Sequence, residues 1–142
     1  MEAIHILLVE DNIGDIMLTR EAFEAIMPSL KLSVVKDGYE AIEFMNKHGP
    51  YSEVSPADMI LLDINLPRKN GFEVLSYIKA SQEFKPIPVI MFSTSSSEAD
   101  IKRCYENSGT CFITKPFNFN DFHNVIESII NFWIVTVKLP AT

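Results

Sequence analysis

An apolar run that ends on a carboxylate, Ile60-Leu61-Leu62-Asp63-Ile64-Asn65-Leu66-Pro67, constrains this chain more than any other stretch. Bounded by Pro56 and Pro67, it has the length and composition of a strand covered on both faces, the usual condition of a strand in a parallel sheet. A terminal charge is unusual in such a strand. At the carboxyl edge of an open α/β sheet it would lie where ligands bind in that architecture. From this stretch alone, Asp63 reads equally well as a turn cap or as a site residue.

The flanking sequence supplies the rest of a sheet. Residues 4–9 predict a first strand, buried on both faces, that ends in Glu10-Asp11-Asn12. Residues 15–27 carry Ile16, Phe23 and Ile26 at helical spacing before Pro28 stops them. Residues 31–35 form a shorter strand, and Asp37 with Glu40 predicts a capping box for a helix running to about Lys47. A polar connection over residues 51–57 leads to the opening strand. Beyond Pro67, Arg68-Lys69-Asn70-Gly71 turns the chain into a helix with Phe72, Leu75 and Ile78 on one face. A fourth strand at residues 89–92 finishes on Ser93 and Thr94, and Ser95 with Glu98 predicts a second capping box for a helix through Asn107, with Gly109 as its stop. Residues 111–114 make a fifth strand, and a last helix from near Asn120 to at least Trp133 leaves residues 136–142 as a tail. Strands alternating with helices, without repeat or linker, predict one doubly wound α/β domain over residues 1–142.

Composition narrows the class. Acids outnumber bases by 19 to 12, for a net charge of −7, and no basic stripe interleaves with aromatics, which argues against nucleic-acid binding. Met1-Glu2-Ala3 lacks the basic start of a signal peptide, and no apolar stretch approaches the ~20 residues that span a membrane, so a soluble cytoplasmic protein is expected. Cys104 and Cys111 are too few for a disulfide scaffold and lack the spacing of a zinc site, so both read as reduced structural thiols.

Asp11, Asp63, Ser93 and Lys115 each fall at or just past the carboxyl end of a different predicted strand, so the fold would bring them to one edge. Gathered carboxylates repel unless a hard cation neutralises them, and oxygen ligands without His or Cys favour Mg²⁺. A Mg²⁺, an ammonium and a hydroxyl around a remaining carboxylate suit the three oxygens of a phosphoryl group. Phosphoryl transfer relies on positioning and charge neutralisation, and Asp63 would be the nucleophile, becoming an aspartyl phosphate.

Val9-Glu10-Asp11-Asn12, Leu62-Asp63-Ile64-Asn65-Leu66-Pro67 with Gly71, Phe92-Ser93-Thr94 and Thr114-Lys115-Pro116-Phe117, in that order, resemble the receiver domain of two-component response regulators. The resemblance covers about residues 4 to 130 and implies a flavodoxin-like, five-stranded parallel sheet of order 2-1-3-4-5. It also implies phosphorylation of Asp63 by a histidine kinase, and a Mg²⁺ site made by Glu10, Asp11, Asp63 and the backbone carbonyl of Asn65. Ser93 would follow the phosphoryl group as the switch hydroxyl, Lys115 would be its cationic partner, and the Lys115–Pro116 bond would be cis. Two positions depart from the commonest receiver pattern. Thr94 replaces a smaller residue, and Phe112 occupies the aromatic switch position without the hydroxyl of a tyrosine.

The connection over residues 49–57, the loop over residues 65–71 and the ending over residues 132–140 are similar to cyanobacterial response regulators associated with phytochrome kinases. These are single-domain proteins, so the resemblance implies output through protein contacts or through phosphate handling itself. Three function classes compete: a phosphorylation-driven switch, a Mg²⁺-dependent phosphatase with an Asp nucleophile, and an interaction module with an inactive site. The phosphatase class needs a second acid two residues after the nucleophile, where this chain has Asn65, and an inactive module would not need the full polar set. The final helix carries more apolar residues than one buried stripe takes up, so a homodimer through Ile130, Trp133 and Val137 is expected, or else a tail that folds back over them.

Overall fold

Three strands that are apolar over most of their length can be satisfied only inside a sheet covered on both faces, and they become its centre. The computed structural model describes residues 3–140, in which β1 (His5–Val9), β3 (Met59–Leu62) and β4 (Val89–Ser93) are buried at every position. The less apolar β2 (Lys31–Val35) and β5 (Cys111–Thr114) take the two edges. All neighbours pair in parallel, in the order β2-β1-β3-β4-β5, so the receiver-like topology expected from sequence is the one observed.

Alternate strand residues feed two separate cores, as the two-residue side-chain period of a strand requires. Leu7, Ile60, Leu62 and Met91 pack against α2 (Gly38–Met45), α3 (Gly71–Ala80) and α4 (Glu98–Glu106). Ile6, Leu8, Leu61 and Phe92 pack against α1 (Ile13–Ile26) and α5 (Phe119–Ile129). Phe72, Leu75 and Ile78 all lie on the buried face of α3, as their spacing predicts.

Parallel connectivity makes every helix start at the edge where the strands end. Each start is capped by a side-chain oxygen that accepts the amide three residues on: Asn12, Asp37, Asn70, Ser97 and Asn118. Such a cap contributes about 1 kcal/mol, and together the helix starts turn their positive dipole ends toward the carboxyl edge.

Four local expectations are corrected. α4 is capped by Ser97, while the Ser95 hydroxyl donates to the Asp100 side chain at 2.7 Å. Ser108, at φ 65°, supplies the left-handed residue that stops α4, and Gly109 instead makes room for Cys104, whose sulfur lies 2.4 Å from where a Cβ would sit. α5 continues as a π-helical segment, Ile130–Thr136, so the tail begins at Val137. Among the described residues no peptide bond is cis, so Lys115–Pro116 is trans, the isomer that X–Pro bonds favour by roughly 0.5–1 kcal/mol.

Candidate functional site

β1, β3, β4 and β5 end side by side, and each delivers a polar residue where its hydrogen-bond ladder stops. Glu10 follows β1 and is 2% exposed, Asp63 follows β3 and is 9% exposed, and Ser93 closes β4 with no exposure. Lys115 follows β5 and is 4% exposed. Its backbone N–H donates to the Ser93 carbonyl at 2.7 Å, which ties the last two strand ends together.

The Lys115 ammonium lies among three carboxylates. It donates to Glu10 Oε1, to Asp15 Oδ2 at 2.9 Å and to Asp63 Oδ2 at 3.3 Å. The other Asp63 oxygen, Oδ1, accepts the Ile64 amide at 2.8 Å, so the Asp63 carboxylate is held from both sides. Glu10 Oε2 accepts the Asp11 amide at 3.1 Å. Gly71 brings the start of α3 directly behind Asp63: a Cβ there would sit 2.1 Å from the Asp63 carbonyl oxygen.

Charge in this pocket is unbalanced. Burial, reinforced by the neighbouring Asp63, pushes the Glu10 carboxyl up to about 7 even though Lys115 opposes the shift. Burial works to lower the Lys115 ammonium, but Asp63, Glu10 and Asp15 outweigh it and hold its pKa above the ordinary lysine value. One oxygen from each of Glu10, Asp11 and Asp63 lies within 4.8 Å of the other two. Three carboxylates without nitrogen or sulfur fit a hard divalent cation, and one ammonium cannot neutralise them and Asp15 together.

The remaining sequence-predicted residues are placed as follows. Asn65 is exposed two residues past Asp63, and among the described residues no hydrogen bond within the chain occupies its carbonyl oxygen. The Ser93 hydroxyl accepts the Ser95 amide at 3.3 Å and makes no hydrogen bond to Asp63 or Lys115. Thr94 is exposed at the rim. Phe112 is half-buried against the α3 and α4 side of the core, and its amide donates to the Tyr105 hydroxyl at 3.2 Å. Asp15 joins the site without a signal in the sequence, since an acid in a first helical turn reads as a complement to the helix dipole.

The expected interface is corrected in part. Ile130 is fully buried in the core of its own chain, because it stands four residues after Ile126 and eight after Phe122 on the buried stripe of α5, and it offers no surface to a partner. Trp133 and Val137 are half-buried, while Phe132 and Val135 are exposed by 55% and 66%. An open groove of about 520 Å³, lined by Ile113, Val125, Ile129, Phe132 and Trp133 among others, runs beside them. The tail leads instead to the opposite end of the molecule, where Pro140 lines a separate cavity. Among the described residues no helix is long and apolar enough to cross a membrane.

The sequence profile of the response regulator receiver domain matches residues 6–127. Response regulator Rcp1 of Synechocystis sp. is 39% identical over 136 residues, spanning 96% of this chain and 92% of the relative. The crystal structure of the phosphorylated cyanobacterial phytochrome response regulator RcpA is similar with a TM-score of 0.94 at 40% identity, covering 98% of this chain and 99% of that one. The Mn²⁺-bound form of Rcp1 is similar at 0.91 and 39% identity, covering 96% and 99%.

Proposed function

Since this chain belongs to the response regulator receiver domain family and is a two-component signalling protein, we propose that Asp63 accepts the phosphoryl group of a histidine kinase with Mg²⁺ as the cation. The convergence of Glu10, Asp11, Asp63 and Lys115 at one sheet edge carries this reading. Glu10, Asp11, Asp63 and the Asn65 carbonyl would hold the cation. Bound there, Mg²⁺ neutralises carboxylate charge and polarises the phosphoryl oxygens. An Asp63 carboxylate oxygen attacks phosphorus, the bond from phosphorus to the donor breaks, and the donor leaves with the electron pair. Lys115 and the Ser93 hydroxyl then bind phosphoryl oxygens, and the turned Ser93 opens a path for Phe112 to move.

The same residues limit the chain's chemistry to its own phosphorylation and hydrolysis. Asn65 places an amide where an aspartate-based phosphatase needs an acid. Exposed Ile13 and Met17 on α1, with Phe117 and Phe119 at the start of α5, form an apolar rim beside the pocket that suits the docking of a kinase. The likeness to phytochrome response regulators favours a phytochrome as that kinase. We assign one receiver domain to residues 1–142, and a homodimer in the cytoplasm built on Phe132, Trp133, Val135 and Val137. Sedimentation equilibrium checks the dimer: Trp133→Ala should weaken it by roughly tenfold or more, and an equally dimeric variant would remove Trp133 as its anchor.

Incubation with acetyl phosphate followed by intact mass measurement tests the acceptor. Wild type should gain one phosphoryl group with Mg²⁺ and none with chelator, and Asp63→Asn should gain none. Retained label in Asp63→Asn would overturn the assignment.

A further inference from the structure

Lysine has three N–H donors, and all three are taken by carboxylates: Glu10, Asp15 and Asp63. Two of these partners also belong to the group that can hold a cation, whereas Asp15 does not. Asp15 is well anchored for a residue with no assigned role. It lies in the first turn of α1, its amide donates to the Asn12 side chain at 2.9 Å, and its carbonyl accepts the Thr19 hydroxyl at 2.7 Å.

We propose that Asp15 is a positioning residue for Lys115, holding the ammonium over the site when Glu10 and Asp63 are drawn into cation binding and Asp63 is converted to an acyl phosphate. The inference rests on the reading of Asp63 as acceptor. Without Asp15, the two bonds left to Lys115 both run to carboxylates that the cation competes for, so the ammonium loses its aim at the stage where phosphoryl charge must be met. The opposite influence is also defined: Asp15 is a negative group near an incoming phosphodonor, so if repulsion were its only effect, neutralising it would speed the reaction.

The sign decides between the two. Acetyl phosphate kinetics at saturating Mg²⁺, read by intact mass, should show Asp15→Asn slower than wild type by roughly five- to tenfold. Mg²⁺ affinity, measured by calorimetry without phosphodonor, should change by less than about twofold. Asp15→Glu, which keeps the charge, should recover part of the rate. An Asp15→Asn rate equal to or above wild type overturns the role, as does a parallel loss of Mg²⁺ affinity, which would place Asp15 among the cation ligands. Circular dichroism verifies the fold, and if Asp15→Asn does not fold, Asp15→Ser is read by the same criteria. A wild-type chain that takes up no phosphoryl group overturns the acceptor reading itself, whereas a normal wild type with an unimpaired Asp15→Asn overturns only the positioning role.

Discussion

The two ends of the sheet both bury polar side chains, and they treat them in opposite ways. At the amino end His5 is 1% exposed and fully partnered. Its amide donates to Asp58 at 2.8 Å, Nδ1 donates to the Ser55 carbonyl at 3.0 Å, and Nε2 accepts the Ser33 hydroxyl at 2.7 Å. Burial, helped by the nearby Lys31 ammonium, pushes the imidazole pKa below its ordinary value, so the ring itself is neutral. A largely apolar cavity of about 150 Å³ beside it is lined by Phe44, Phe84, Ile87 and Pro140, with Lys47, Asp58 and Glu83 also on its wall. At the carboxyl end, Glu10, Asp15 and Asp63 share the ammonium of Lys115, and Asp11 adds a further carboxylate beside Glu10 and Asp63. Neutral, satisfied groups stabilise a fold in one arrangement, whereas surplus charge leaves a site that a cation and a phosphoryl group can complete.

Substitutions on each end sharpen this contrast. The largest effect is expected from Lys115→Ala, which should abolish the amide-shift changes that phosphorylation produces in two-dimensional NMR spectra. The variant should remain folded, because Glu10, already at about 7, takes up a proton when its partner is lost. Wild-type shift changes in that variant would reduce Lys115 to a structural counter-ion of the buried carboxylates. Gly71→Ala is expected next. A Cβ there meets the Asp63 carbonyl oxygen at 2.1 Å and the Ile64 Cα at 2.8 Å, so stability should fall by about 1–3 kcal/mol in urea denaturation and phosphorylation should slow with it. Gly49→Ala meets no neighbour and serves as the control for backbone strain alone, at φ 55°.

The smallest effect lies at the amino end. The His5 pKa is ordinary in the unfolded chain, near 6.5, and lower in the folded one, so the unfolded state binds the extra proton as pH falls. This contribution is intact above pH 6.5 and is lost below it, by at most about 1.4 kcal/mol per pH unit, until the folded pKa is reached. Urea titrations of wild type and His5→Gln at pH 7.5 and 5.5 isolate the slope. Identical pH dependence in the two proteins would mean that His5 is not held neutral.

Sequence made the sheet and most of the site legible, for a common reason. Strands buried on both faces are continuous apolar runs, so Glu10, Asp63 and Ser93 stand out as the polar residues that end them, while Lys115 is marked by its place between the short edge strand β5 and Pro116. Asp15 carries no such signal: nothing in its surroundings shows that α1 starts over the end of β5, about a hundred residues later. Ser95 and Ser97 could equally well cap α4, and only the path of the loop selects Ser97. Helical spacing from Phe122 and Ile126 puts Ile130 on the buried stripe, so the apolar surplus of the last helix lies instead on Phe132 and Val135, in the π-helical segment whose changed period the sequence does not signal.

Mg²⁺-dependent thermal stability tests the claim of surplus negative charge most directly. A cation that binds the folded chain alone raises the unfolding midpoint progressively with its concentration. Wild type is predicted to show that rise, and Asp11→Asn, which removes one of the three gathered carboxylates, is predicted to lose most of it. A wild-type midpoint unmoved by millimolar Mg²⁺, or an Asp11→Asn response equal to that of wild type, would contradict the account.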